Sequence, residues 1–161
     1  MILIYMIKPL TNGDVMRYTG CKFILYEHMK DIKSIDELLP MTLILYQLNP
    51  DVGHFCCILE NSHGIQFFDP IGMIFDQELK YCKQNKQMIN HDFTYLAQLL
   101  ANSNRNVDYN HYQYQTFGSM ACGYWCIFRM LMKDLTNEQF HTLFKPLVKK
   151  DNKIVKLLNQ I

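Results

Sequence analysis

Between residues 42 and 69 the chain holds three runs of β-branched and aromatic residues, and no other feature limits its fold so strongly. The runs are Thr42 to Leu48 (TLILYQL), His54 to Glu60 (HFCCILE) and Ile65 to Asp69 (IQFFD). Between them lie Asn49-Pro50-Asp51-Val52-Gly53 and Asn61-Ser62-His63-Gly64, both rich in residues that favour turns. Short apolar runs separated by such turns predict an antiparallel meander of three strands. The runs are apolar almost throughout rather than alternating, so both faces of this sheet are expected to be covered.

The flanks supply the covering material. Thr11 with Asp14 predicts a capped helix start, and Gly20 its left-handed stop. Phe23 to Tyr26 reads as a short strand, and Asp31 to Leu39 as a helix halted by Pro40. Gln77 to Gln84 and Asp92 to Ala101 have helical spacing, whereas Val107 to Gln115 alternates like a strand. Cys122 opens a helix with apolar positions at Trp125, Phe128, Leu131 and Met132. Thr136 and Gln139 form a capping box for a helix running to about Lys145 before Pro146, and Asp151 or Asn152 caps a last helix. The expected fold is therefore α+β, with a central, mostly antiparallel sheet flanked by helices. The 161 residues show no repeat or linker and suit a single domain, 1–161.

A net charge of +1 gives no general argument for nucleic acid or an anionic membrane. The local basic run (Lys145, Lys149, Lys150, Lys153, Lys156) reads as a solvated helical face. Met1 to Leu10 is too short to span a membrane, lacks a signal-cleavage pattern, and reads as a strand or docked segment. The six cysteines then belong to a reducing compartment as free thiols.

One of those thiols has the surroundings of a nucleophile. Cys122 stands at a loop-to-helix junction, where the helix dipole favours thiolate, and Gly123 permits close backbone approach. Alone, such a cysteine is more often an inert core residue. His54 begins a strand after Gly53, and Asp69 ends the next strand before Pro70. In a simple hairpin residue 54 would pair near residue 71, which brings Asp69 within reach of the His54 ring. A carboxylate there fixes the tautomer of a general base. Gln115, seven residues before Cys122, offers a side-chain amide to an oxyanion hole. Cys126, one helical turn after Cys122, reads as packing beneath it. A zinc site from His54, Cys56, Cys57 and His63 matches no common spacing, since adjacent strand residues face opposite ways, and no metal is expected.

The stretches Gly53-His54-Phe55, Phe68-Asp69-Pro70-Ile71-Gly72, and Gln115 through Ala121-Cys122-Gly123-Tyr124-Trp125-Cys126 resemble the adenovirus endopeptidase (adenain) family. The ordered His, acid, Gln and Cys are shared with the wider clan of SUMO-type (Ulp) proteases, whose Gln-to-Cys spacing is typically one residue shorter. The resemblance covers about residues 42 to 132. It departs from the pattern at Phe55, where the family usually has Trp, and in an Asp rather than a Glu as the acid. The chain is also shorter than the adenovirus enzyme.

The resemblance implies a cysteine endopeptidase with Cys122 as nucleophile, His54 as base, Asp69 as third member and Gln115 at the oxyanion. Its implied substrates are viral capsid or core precursor polypeptides cut at Gly-containing sites. It would act as a monomer in host cytoplasm or a virus factory and be packaged in the virion, neither secreted nor membrane-bound. No cofactor is needed for the chemistry, and a peptide or DNA activator is a family property without support in these residues. Two other readings stand beside this one: a deubiquitinase or deSUMOylase of the sister branch, and a binding module that retains the fold. Papain-like enzymes place Cys before His, and chymotrypsin-like cysteine proteases place Cys in a hairpin rather than at a helix start. Abundant Ile, Asn, Lys and Tyr point to an AT-rich source such as a virophage, a Polinton-like element or a large DNA virus.

Overall fold

A computed structural model describes residues 6–49, 52–77 and 94–161. Its centre is a five-stranded sheet in the order β1-β2-β3-β4-β5. The strands are β1 (Lys22–Leu25), β2 (Met41–Asn49), β3 (Val52–Asn61), β4 (Gly64–Phe68) and β5 (Val107–Tyr109). The meander β2-β3-β4 is antiparallel, as its turn chemistry predicts. Each outer strand is parallel to its neighbour, so the sheet is mixed rather than mostly antiparallel. The physical reason is connection length. Both outer strands are reached through long crossing segments, which leave strand direction free, whereas tight turns force reversal.

The helices are α1 (Asn12–Thr19), α2 (Tyr95–Ala101), α3 (Cys122–Leu131), α4 (Asn137–Phe144) and α5 (Asp151–Leu158). Reciprocal capping boxes at Thr11/Asp14 and Thr136/Gln139 open α1 and α4, and Gly20, in the left-handed region at φ 67°, closes α1. The expected helix over 31–39 is replaced by two 3-10 segments, Tyr26–Asp31 and Ile35–Leu38. Between the Ser34/Glu37 capping box and Pro40 there are too few residues to repay α-helix nucleation. Gln77–Gln84 lies outside the described residues beyond Gln77 itself, as do 92 and 93 of the second expected helix, whose described part forms α2 from Tyr95. Lys150, not Asp151 or Asn152, is the N-cap of α5, because the Asp151 side chain is engaged elsewhere.

The sheet is covered on both faces. Phe55, Cys57 and Leu59 point into one cluster with Trp125, Cys126, Phe140, Phe144 and Ile154 from the helices. Cys56 and Ile58 point the other way, toward Tyr26, Met29, Tyr46, Leu96 and Leu100. Opposite faces for neighbouring residues follow from the two-residue strand period. Arg129 is fully buried within α3; it donates to Asn137 Oδ1 and to the carbonyls of Met132 and Leu135, locking the α3–α4 turn. Burial lowers its pKa.

Asp76 is the buried acid of the second cluster. Its Oδ2 accepts the Ala97 N–H at 2.7 Å, which anchors α2, and its own N–H donates to the Tyr46 hydroxyl at 3.3 Å. Burial raises its pKa above the ordinary aspartate value, against the opposing effect of hydrogen bonds from Tyr26, Ala97, Leu96 and Tyr46. The folded state thus holds this proton more tightly than the unfolded chain. Its contribution to stability is full below the ordinary carboxylate pKa and is lost as pH rises through the raised value. The pH dependence of the thermal midpoint should therefore differ between wild type and Asp76→Asn by a component that declines over that window in wild type alone. Parallel curves would refute this role for Asp76.

Candidate active site

The β3–β4 register pairs Cys57 with Phe68 and Asn61 with Gly64, which sets Asp69 one step beyond the paired residues and opposite Cys56. His54 lies two residues before Cys56 on the same face, and its Nε2 and Asp69 Oδ1 are 2.8 Å apart. A carboxylate only accepts, so Nε2 carries the hydrogen in this pair. The His54 side chain is 6% exposed and that of Asp69 0%, so the pair is shielded from the solvent that makes surface ion pairs weak.

The His54 ring is also in hydrogen-bonding range of the Cys122 and Cys56 thiols. With Nε2 taken by Asp69, Nδ1 is the nitrogen left to face Cys122. Burial alone would lower the His54 pKa, but the charge of Cys56 and the hydrogen bonds to Asp69, Cys122 and Cys56 outweigh it and hold the ring well above its ordinary value.

Cys122 is the first residue of α3. The preceding Ala121 makes no side-chain cap, unlike the residues that open α1 and α4. The first N–H groups of a helix have no partner within it, so α3 presents free donors and its positive dipole end at the thiol. Cys126 is fully buried, its thiol pKa is driven up by burial, and its Sγ donates to the Phe55 carbonyl at 3.5 Å. It packs beneath Cys122. All five cysteines among the described residues are free.

Gln115 reaches this site from a loop, not from the expected strand over 107–115. The strand stops at Tyr109 because the next residue uses its side chain for what the backbone ladder would have done. Asn110 Oδ1 accepts the Asp69 N–H at 2.8 Å, and its Nδ2 donates to the Asp69 carbonyl at 2.7 Å. The chain then turns so that the Tyr114 and Gln115 N–H groups both donate to the Pro70 carbonyl. Gln115 Nε2 donates to Ser119 O at 2.9 Å, which leaves one of its two hydrogens for another acceptor. Its Oε1 is buried without a partner.

Two supporting residues were not foreseen. Asn110 showed only as an even-numbered member of an alternating run, and nothing in its type marks a buried clamp. Asp151 was read as a helix cap. Its carboxylate instead joins the Thr116 N–H, beside Gln115, to the Trp125 indole N–H within α3. A cap and a tertiary anchor carry the same local sequence signal.

A cleft of about 260 Å³ opens over these groups, lined by His54, Gln115 and Cys122 with an apolar wall of Val52, Ile71, Met73, Phe117 and Met120. A second cleft of about 330 Å³ shares Val52, Gly53, Met120 and Cys122 and is walled by Pro9, Leu10 and Phe55. Cys122 therefore sits where two grooves meet. The N-terminal segment forms the far wall: the Tyr124 hydroxyl donates to the Lys8 carbonyl at 2.9 Å, and Leu10 packs on Gly123.

No family model matches the chain. It is 28% identical over 140 residues to the uncharacterized protein V9 of Sputnik virophage, an alignment covering 81% of this chain and 80% of that protein. The virophage likeness agrees with a viral source. No helix among the described residues is long and apolar enough to cross a membrane, and the five lysines of the C-terminal run are exposed.

Asn110→Ala would strand the buried Asp69 N–H, while the Asp69 carbonyl keeps its hydrogen bond from the Gly72 N–H. A loss of about 1–3 kcal/mol for the group left without a partner is expected in denaturant unfolding. A variant as stable as wild type would show that the clamp is dispensable.

Proposed function

We propose that this chain is a cysteine endopeptidase in which Cys122, His54, Asp69 and Gln115 carry the reaction. The observation that supports this most strongly is the buried His54–Asp69 hydrogen bond, whose imidazole also meets a thiol at an uncapped helix N-terminus. His54 Nδ1 takes the Cys122 proton, and Asp69 holds the resulting imidazolium. The thiolate attacks the scissile carbonyl of a polypeptide lying across the two grooves. The Cys122 N–H and the free Gln115 Nε2 hydrogen stabilise the oxyanion, each donor contributing about 2.7–4 kcal/mol in comparable sites. Protonated His54 then passes its proton to the leaving amine, and water hydrolyses the acyl-enzyme.

The fold is read as adenain/Ulp-like on the same grounds: helix-start Cys, hairpin His and acid, and an upstream Gln in that chain order. The resemblance to the adenain family implies precursor polypeptides of a virion, cut at Gly-containing sites, as the substrate class. A sister-branch activity on ubiquitin- or SUMO-fused proteins is the competing substrate reading. Incubation with Gly-rich capsid-precursor peptides alongside ubiquitin- and SUMO-fused reporters separates the two, since cleavage of the fused reporters alone defeats the maturation reading.

Cys122→Ala is expected to abolish cleavage while the fold persists by circular dichroism. Retained cleavage in that variant, with loss in Cys126→Ala instead, overturns the assignment. Gln115→Ala should lower kcat by about 10²–10³-fold with KM little changed, because its hydrogen bond tightens only as the oxyanion forms. A change in KM alone would remove Gln115 from the oxyanion role.

A further inference from the structure

One thiol beside the base has no part in the reaction described above. Cys56 faces the same side of β3 as His54 and stands opposite Asp69 across the hairpin. One ligand atom from each of His54, Cys56 and Asp69 can be chosen so that all lie within 4.8 Å of one another, and all three residues are buried. Asp69 is fully buried, yet its Oδ2 has no hydrogen-bond partner; Oδ1 serves His54 and the Ile71 N–H. A carboxylate oxygen left so is a ligand atom without an occupation.

We propose that His54, Cys56 and Asp69 form a binding site for a thiophilic divalent cation of the Zn²⁺ type. The donor set decides the class of ion. Imidazole, thiolate and carboxylate together suit zinc or cobalt, whereas magnesium and calcium require oxygen ligands. Ligand atoms around a tetrahedral zinc stand about 3.3–3.8 Å apart, given zinc–ligand lengths of about 2.0–2.3 Å. The cluster therefore needs to tighten by about 1–1.5 Å at most, while the His54–Asp69 pair opens slightly. A +2 ion with one thiolate and one carboxylate is neutral overall, which makes the buried site tolerable. His54 lines the cleft, so the ion and the solvent molecule needed as a fourth ligand would enter from that side.

In sequence, His54, Cys56, Cys57 and His63 match no common zinc spacing, and adjacent strand residues face opposite ways. Cys57 does face the opposite core. The hairpin register replaces it with Asp69, a ligand that local spacing does not reveal.

Binding releases the Cys56 thiol proton, while the single hydrogen of the neutral His54 ring passes from Nε2 to Nδ1, with no change in oxidation state. A ring metallated at Nε2 keeps a hydrogen on Nδ1 and has no lone pair for the Cys122 proton. Occupancy thus switches the base off, a regulatory consequence that rests on the peptidase reading; the binding itself does not.

The test begins with Cys122→Ala protein, which removes the competing thiol and needs no activity. Titration with Co²⁺ should give a near-ultraviolet thiolate-to-cobalt absorption saturating at one ion per chain, displaced by Zn²⁺ and not by Mg²⁺. Cys122→Ala/Cys56→Val should lose that band. No thiolate band in Cys122→Ala, or an unchanged band without Cys56, overturns the site. If the Cys56 variant does not fold by circular dichroism, Asp69→Asn in the Cys122→Ala background decides the matter. It should weaken Co²⁺ binding at least tenfold, and equal affinity overturns the proposal. For the regulatory arm, Zn²⁺ inhibition of otherwise wild-type enzyme should weaken at least tenfold in Cys56→Val. Undiminished inhibition there would locate it at Cys122 instead and remove the switch, whatever the binding data show.

Discussion

Asp69 is the point where backbone architecture and side-chain chemistry meet. Its N–H and C=O are both held by the Asn110 side chain, and the carbonyl also accepts the Gly72 N–H. Its Oδ1 accepts from the Ile71 N–H and faces His54 Nε2. A buried carboxylate costs free energy unless donors meet it, and one of its two donors here, the Ile71 N–H, belongs to main chain whose course the carboxylate in turn fixes. The direction of the His54 ring, the turn after β4 and the end of β5 all follow from this one residue. So does the loop that brings Gln115 back, through Pro70 and its two incoming N–H groups.

The two-sided core explains why the hairpin is a rigid platform for such a residue. Helices α3, α4 and α5 cover one face, and the 3-10 segments with α2 cover the other. His54 and Cys56 share one face while Phe55 and Cys57 share the opposite one. Phe55 packs against the start of α3 while His54, one residue away, turns its ring toward the same helix end from the part of β3 that lies beyond its pairing with β4.

The meander, the capping boxes of α1 and α4, the glycine stop of α1 and the start of α3 at Cys122 were all legible in the sequence. Each is decided by residues within a few positions of one another, through turn chemistry, caps and periodicity. The hairpin register also allowed the approach of His54 and Asp69 to be anticipated, since a tight turn transmits geometry across it. The losses have a common cause. The helix expected over 31–39 has the right spacing but too little length between its cap and its proline. The strand expected over 107–115 alternates correctly, yet after Tyr109 the Asn110 side chain, 41 positions from Asp69, takes over the hydrogen bonding of that residue's backbone. Asp151 looked like a helix cap and serves as an anchor between α3 and the loop carrying Gln115.

Sequence by itself therefore determined the ordered set His54, Asp69, Gln115 and Cys122, the two-sided character of the central strands and the helix start at the thiol. These depend on local chemistry, which short-range patterns record. Tertiary structure alone decided the parallel outer strands, the Asn110 clamp, the loop course of Gln115 and the closeness of Cys56 to the His54–Asp69 pair. Those rest on contacts between distant segments, where the same residue types satisfy a backbone group, a cap or a neighbour equally well until packing selects among them.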